Sequence, residues 1–150
     1  MASRTEAGVP LKRLAQASGL SAADRLLVIG RIPADALGEL SRGSAAAVTM
    51  VRPGGPYPNP DRADVVWVLG LDDAAAIEPR LRLAFRCLAP GARILVELCA
   101  TDGMADAPTV AARLRHQGLQ VVRIEVLKPA VVLVRGCAPV RHCQQQRRAA

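Results

Sequence analysis

Residues 64–98 read DVVWVLGLDDAAAIEPRLRLAFRCLAPGARILVEL. The run Val65-Val66-Trp67-Val68-Leu69 is apolar throughout and rich in β-branched residues, as a strand buried on both faces must be. A helix is expected next. Asp72 or Asp73 is placed to cap it, and Ile77, Leu81, Phe85 and Leu88 recur every three or four residues, leaving Arg80, Arg82 and Arg86 on the outer face. Pro90-Gly91 ends that helix, and Ile94–Leu98 reads as a second buried strand. Strand, helix and strand in this span make a βαβ crossover, which sets the two strands parallel in one sheet.

Ala63-Asp64-Val65-Val66, then Arg86-Cys87-Leu88-Ala89-Pro90-Gly91-Ala92, then Arg93-Ile94-Leu95-Val96 follow the pattern "FDvV … RvLkPGG … rlvi". This unit resembles the second half of a class I S-adenosylmethionine (SAM) methyltransferase domain of the type 11-like kind. Pro56-Tyr57-Pro58 stands where many small-molecule methyltransferases carry "lPfpd". The first strand extends the resemblance: Ser21–Gly30, ending Leu26-Leu27-Val28-Ile29-Gly30, is similar to the family's "spgdrVLdiG". At domain level the chain is also similar to the N-terminal methyltransferase-like domain of the iron-sulfur assembly factor anamorsin, though it lacks that protein's cysteine motifs. The resemblance implies an α/β, Rossmann-like three-layer sandwich. Its sheet would be mostly parallel, with about six strands, an antiparallel last strand and one shortened edge.

The resemblance weakens where the family holds its cofactor. Aligned on Gly30, the acidic position of the first strand is Val28, the second loop glycine is Ile32 and the third is Ala34, with Pro33 stiffening the loop. The carboxylate that grips ribose hydroxyls at the end of the second strand is replaced by Val51, with Arg52 next. Residues 53–62, PGGPYPNPDR, form a turn-rich connector where a typical member has another helix and strand, so the sheet is expected to lose one strand on that edge.

With 150 residues the chain fits one domain with one core. Aromatics are limited to one Trp, one Tyr and one Phe, so Ala, Val, Leu and Ile must fill that core. The formal charge is +7, from 20 Lys plus Arg against 13 Asp plus Glu. Arginine is spread along the whole chain, which favours a solvated surface over a dedicated nucleic-acid face; only Arg141, Arg147 and Arg148 approach a cluster. Cys87, Cys99, Cys137 and Cys143 show no CxxC spacing, which argues against a disulfide framework or a zinc site; Cys137, His142 and Cys143 lack a fourth ligand. No apolar run reaches the ~18 residues of a membrane span and no signal-peptide core follows Met1, so a cytoplasmic protein is expected, with an organellar address left open.

The remaining elements follow from periodicity. Residues 1–8 are expected to fray, and residues 9–18 to form a helix ended by Gly19. Helices are expected over residues 34–41, with Leu37 and Leu40 inward, and 110–117, with strands over 46–51, 119–127 and 130–134. Across 119–127, Val122, Ile124 and Val126 should face inward and Val121, Arg123 and Glu125 outward. The expected division is an N-terminal helix with a frayed start (1–20), a methyltransferase-like domain (21–136) and a basic disordered tail (137–150).

His116, near a helix C-terminus, reads as a solvated end residue, Asp72 and Asp73 as helix caps, Trp67 as core, and Glu97 as a weak site candidate at the carboxyl edge. No catalytic constellation and no metal site assemble from these residues. Three coincident departures, at Val28, Ile32 and Val51, favour a non-catalytic domain that works through a protein partner and has lost SAM. The alternative is a divergent SAM-dependent methyltransferase of a small molecule, which the resemblance implies would hold its cofactor near Gly30, Arg31, Ile32, Val51, Arg52, Leu69 and Asp72. A further alternative is RNA or ribosome association through the basic tail.

Overall fold

The computed structural model describes residues 3–52, 62–99, 103–128 and 131–140. In chain order the elements are α1 (Leu11–Ser18), β1 (Arg25–Ile29), α2 (Ala34–Glu39), β2 (Ala47–Val51), β3 (Ala63–Leu71), α3 (Ala74–Cys87), β4 (Leu88–Leu98), α4 (Gly103–His116), β5 (Gln120–Lys128) and β6 (Val131–Cys137). They build a six-stranded sheet in the order β2-β1-β3-β4-β6-β5. β1 pairs parallel with β2 and β3, and β3 with β4; β6 runs antiparallel between β4 and β5. This is the expected Rossmann-like sheet, and β2 is its outer strand on the shortened edge among the described residues.

Both faces of the sheet are covered, which explains the continuous apolar strands. On one face Leu27, Ile29, Val66, Val68, Ile94 and Val96 pack under α3 and α4. On the other, Leu26, Val28, Val65, Trp67 and Leu95 pack under α1 and α2. Trp67 is fully buried, and its indole N–H donates to Ser18 Oγ at 3.0 Å, tying β3 to α1. Asp73 caps α3 by accepting from the Ala75 N–H at 3.0 Å. The inward residues of α3 are Ile77, Leu81, Ala84 and Cys87. Phe85 is only half-buried because it lies at the rim, its ring 5.1 Å from the Arg113 guanidinium carbon.

Several boundaries differ from the periodicity: α3 already ends at Cys87, and Pro90-Gly91 lies within β4 instead of closing the helix. α4 begins at Gly103, several residues ahead of the expected start, and carries Pro108 within it. β6 extends to Cys137 because β4 pairs with it as far as Arg93↔Cys137. After α2 the chain widens into a turn, Leu40–Ser44, where Arg42 and Gly43 leave helical geometry; Leu40 is buried as expected and Leu37 only partly. On β5 the expected inward face is kept only by Val122, which packs against the core under α3 and α4; Ile124 is 44% and Val126 50% exposed on this edge strand. Ser3, Thr5 and Val9 are buried, and residues 3–10 form a strap across the carboxyl edge.

No helix among the described residues is long and apolar enough to cross a membrane. Pro56-Tyr57-Pro58, His142, Cys143 and the arginines Arg141, Arg147 and Arg148 lie outside the described residues.

Candidate functional site

In a parallel α/β sheet, ligands collect outside the carboxyl ends of the strands, because the loops there diverge and leave a crevice. At that edge a cleft of about 390 Å³ is lined by Glu6, Arg31, Ile32, Met50 and Arg52. This is within the size of small-molecule sites, roughly 300–1,000 Å³. A smaller cavity of about 260 Å³ lies between α1 and the β5–β6 pair, lined by Ala17, Arg123, Glu125 and Arg135 among others. Arg135 is committed there to the Ala17 carbonyl at 2.9 Å, and Arg13 pairs with Glu125, so that space is the seam where α1 docks.

The cleft brings together Arg31, Ile32 and Arg52 of the expected residues. Arg31 and Arg52 are exposed, while Ile32 is 9% exposed and packs with α2 in the core. Val51 lies beneath them, buried, and its carbonyl accepts from the Gly30 N–H at 3.1 Å. Gly30 has φ +129°, and a Cβ there would stand 2.6 Å from the Leu69 carbonyl oxygen. Close approach of β3 therefore accounts for this glycine, with no ligand needed. Leu69 is buried as that contact, and Asp72 is exposed beyond β3, away from the cleft lining.

An acid from another part of the chain also lines this cleft. Residues 5–8 form a tight turn, with Thr5 N–H to Val9 O at 2.8 Å and Gly8 N–H to Thr5 O at 2.9 Å, and Glu6 sits on it facing the cleft. Glu97, 1% exposed at the end of β4, anchors the turn. Its carboxylate accepts from the Thr5 hydroxyl at 2.9 Å and the Gly70 N–H at 3.1 Å, and Cys99 Sγ lies 3.5 Å away. The Thr5 oxygen in turn accepts from the Val9 N–H at 3.2 Å. At the other end of the strap, the Ser3 hydroxyl reaches Glu39 at 2.9 Å and Asp35 at 3.3 Å.

Burial pushes the Glu97 carboxyl above its usual range, against the opposing pull of its hydrogen bonds. Burial, with the Glu97 charge beside it, pushes the Cys99 thiol up to about 12, and burial raises Cys87 too. Neither thiol is a nucleophile at neutral pH. Among the described residues no group of His, Cys, Asp and Glu side chains is placed to hold a metal ion. Sequence reasoning missed Glu6 because its place depends on Thr5 and Glu97, 92 positions apart.

The sequence matches no family model and no curated protein. Solved structures do resemble it. A methyltransferase from Pyrococcus furiosus superposes with a TM-score of 0.61 at 13% identity, over 87% of this chain and 82% of that one. The N-methyltransferase NodS from Bradyrhizobium japonicum WM9, solved with S-adenosyl-L-homocysteine (SAH), gives 0.58 at 16% identity over 86% and 84%. A SAM-dependent O-methyltransferase from Thermotoga maritima gives 0.58 at 11% identity over 89% and 67%. At such identities the likeness speaks to architecture, and this chain has the fold of the class I SAM-dependent methyltransferases.

Proposed function

We propose that the chain is a divergent SAM-dependent methyltransferase of a small molecule, with the adenosyl ligand taken by the Glu6–Arg31–Arg52 cleft. The observation that carries this reading is the cleft itself, about 390 Å³ at the carboxyl ends of β1 and β2, with Glu6 restoring an acid where Val51 lacks one. The residues suit such a ligand with the roles redistributed. Glu6 accepts hydrogen bonds from ribose hydroxyls, Arg31 and Arg52 face a carboxylate, and Ile32 and Met50 supply an apolar wall for a base. When bound, SAM would supply an electrophilic methyl group. Glu97 and Thr5 act indirectly, by fixing the turn that presents Glu6.

Titration calorimetry and thermal shift with SAM and SAH test this. A ligand at 100 times its Kd stabilises by about 2.7 kcal/mol. No heat and no shift with either compound would defeat the proposal.

A second reading, a non-catalytic domain that binds a protein partner, has its own support. Ile32 is packed in the core and Gly30 is explained by Leu69, so the loop after β1 carries no residue that only a ligand explains. Absence of SAM binding together with co-purification of a stoichiometric partner would favour it.

A further inference from the structure

We propose that β5 is a homotypic docking edge on which two copies of this chain join their sheets, pairing β5 with β5 antiparallel about Ile124. β5 is the outer strand of the sheet on this side among the described residues, so one row of its backbone N–H and C=O groups lacks a strand partner. Of the large apolar side chains exposed in the described residues, Ile124 and Val126 both belong to this strand, at 44% and 50%.

The strand is self-complementary. β5 spans Gln120–Lys128, QVVRIEVLK, whose midpoint is Ile124. Antiparallel pairing about that midpoint places Ile124 opposite its own copy, Arg123 opposite Glu125 and Val122 opposite Val126. Each of these opposed pairs is apolar with apolar or cation with anion. A slip by one residue would set Arg123 against Ile124 and move apolar side chains to the other face, so the charges specify the register.

The geometry of the monomer agrees. Ile124 pairs with Val134 and Val126 with Val132 on β6, and both partners belong to the core under α3 and α4. The exposed pair therefore continues an apolar face that the helices leave uncovered, and a second copy would extend it. On the opposite face Glu125 already meets Arg13, so the incoming Arg123 would join an existing ion pair. Irregularities in the β5–β6 register lie between Gln120 and Arg123 and between Val126 and Lys128, which confines regular pairing to the centre of the strand. An edge contact alone is smaller than the roughly 1,200–2,000 Å² of a stable interface, so the dimer should dissociate on dilution.

Sedimentation equilibrium of the full chain from about 1 to 500 μM tests the proposal. The expected result is a concentration-dependent doubling of mass. Arg123→Glu, which sets carboxylate against carboxylate twice, should weaken association roughly tenfold. Arg123→Glu with Glu125→Arg should recover part of it, since the crossed pairs are rebuilt with their signs exchanged although the ion pair to Arg13 is lost. Ile124→Lys should give a monomer. Circular dichroism confirms that each variant folds, and a variant that fails to fold is replaced by Val126→Lys, which tests the same face. A wild type that stays monomeric throughout, or a dimer indifferent to these changes, overturns the proposal.

Discussion

Glu97 is the residue whose environment departs most from that of an ordinary surface acid. It lies buried at the end of a strand, held by a threonine hydroxyl and a backbone amide, and burial raises its pKa above the usual 4.5. An acid with a raised folded pKa favours the folded state fully below its unfolded pKa. That stability is lost as pH rises through the folded value. Glu97→Gln removes the titration; its one amide oxygen can still accept from the Gly70 N–H while its NH2 faces the Thr5 hydroxyl oxygen, so the variant should gain on the wild type as pH is raised from 4 to 8. Thermal melts across that range give the answer, and a pH-independent difference would refute it. Gly30 poses a steric case. With φ +129° and a carbonyl oxygen 2.6 Å from where a Cβ would stand, Gly30→Ala should cost about 2–4 kcal/mol in denaturant melts.

Among the elements, α1 is held to the sheet by side chains more than by its length. Leu11 and Leu14 are fully buried, and polar ties run from Ser18 to Trp67, from Ala17 to Arg135 and from Arg13 to Glu125. Ser18→Ala would leave the buried Trp67 N–H without its acceptor, a loss of roughly 1–3 kcal/mol measurable by urea unfolding. Across the sheet, Arg113 joins α4 to α3. Its Nε lies 3.0 and 3.1 Å from the Glu78 oxygens, and these hydrogen bonds hold the Glu78 carboxyl below its usual range. The apolar periods of β1, β3 and β4 were plain in the sequence because both faces of those strands are buried. β5 was misread for the converse reason: alternation reports which side chains share a face, and says nothing about whether a helix covers it.

For the whole molecule, the proposed site depends on a contact between the first residues and the end of β4. If Glu6 stands in for an acid on β2, Glu6→Ala should weaken SAH binding about 10- to 100-fold, as loss of a charged hydrogen bond does. Glu6→Gln, which keeps an acceptor without the charge, should retain part of it. Calorimetry of the three proteins separates the possibilities. A wild type that binds with Glu6→Ala unaffected removes the role of Glu6 alone, whereas a wild type that does not bind removes the ligand reading altogether. Thr5→Val, which cuts the anchor to Glu97, should lower both stability and SAH affinity while leaving the Glu6 side chain intact.

The order of apolar runs and the Asp73 cap are local patterns, and from them the sequence by itself determined a parallel α/β sheet; the antiparallel last strand and the shortened edge were implied by the family resemblance, and Pro90-Gly91, read as the end of a helix, lies inside β4. The departures at Val28, Ile32 and Val51 were equally visible. Tertiary structure alone decided that residues 3–10 form a strap, that Glu97 is buried, that Gly30 answers to Leu69, and that Glu6 faces the cleft. Each of these depends on contacts between distant segments, and hydrogen bonds formed only when the chain closes on itself leave no period in the sequence to read.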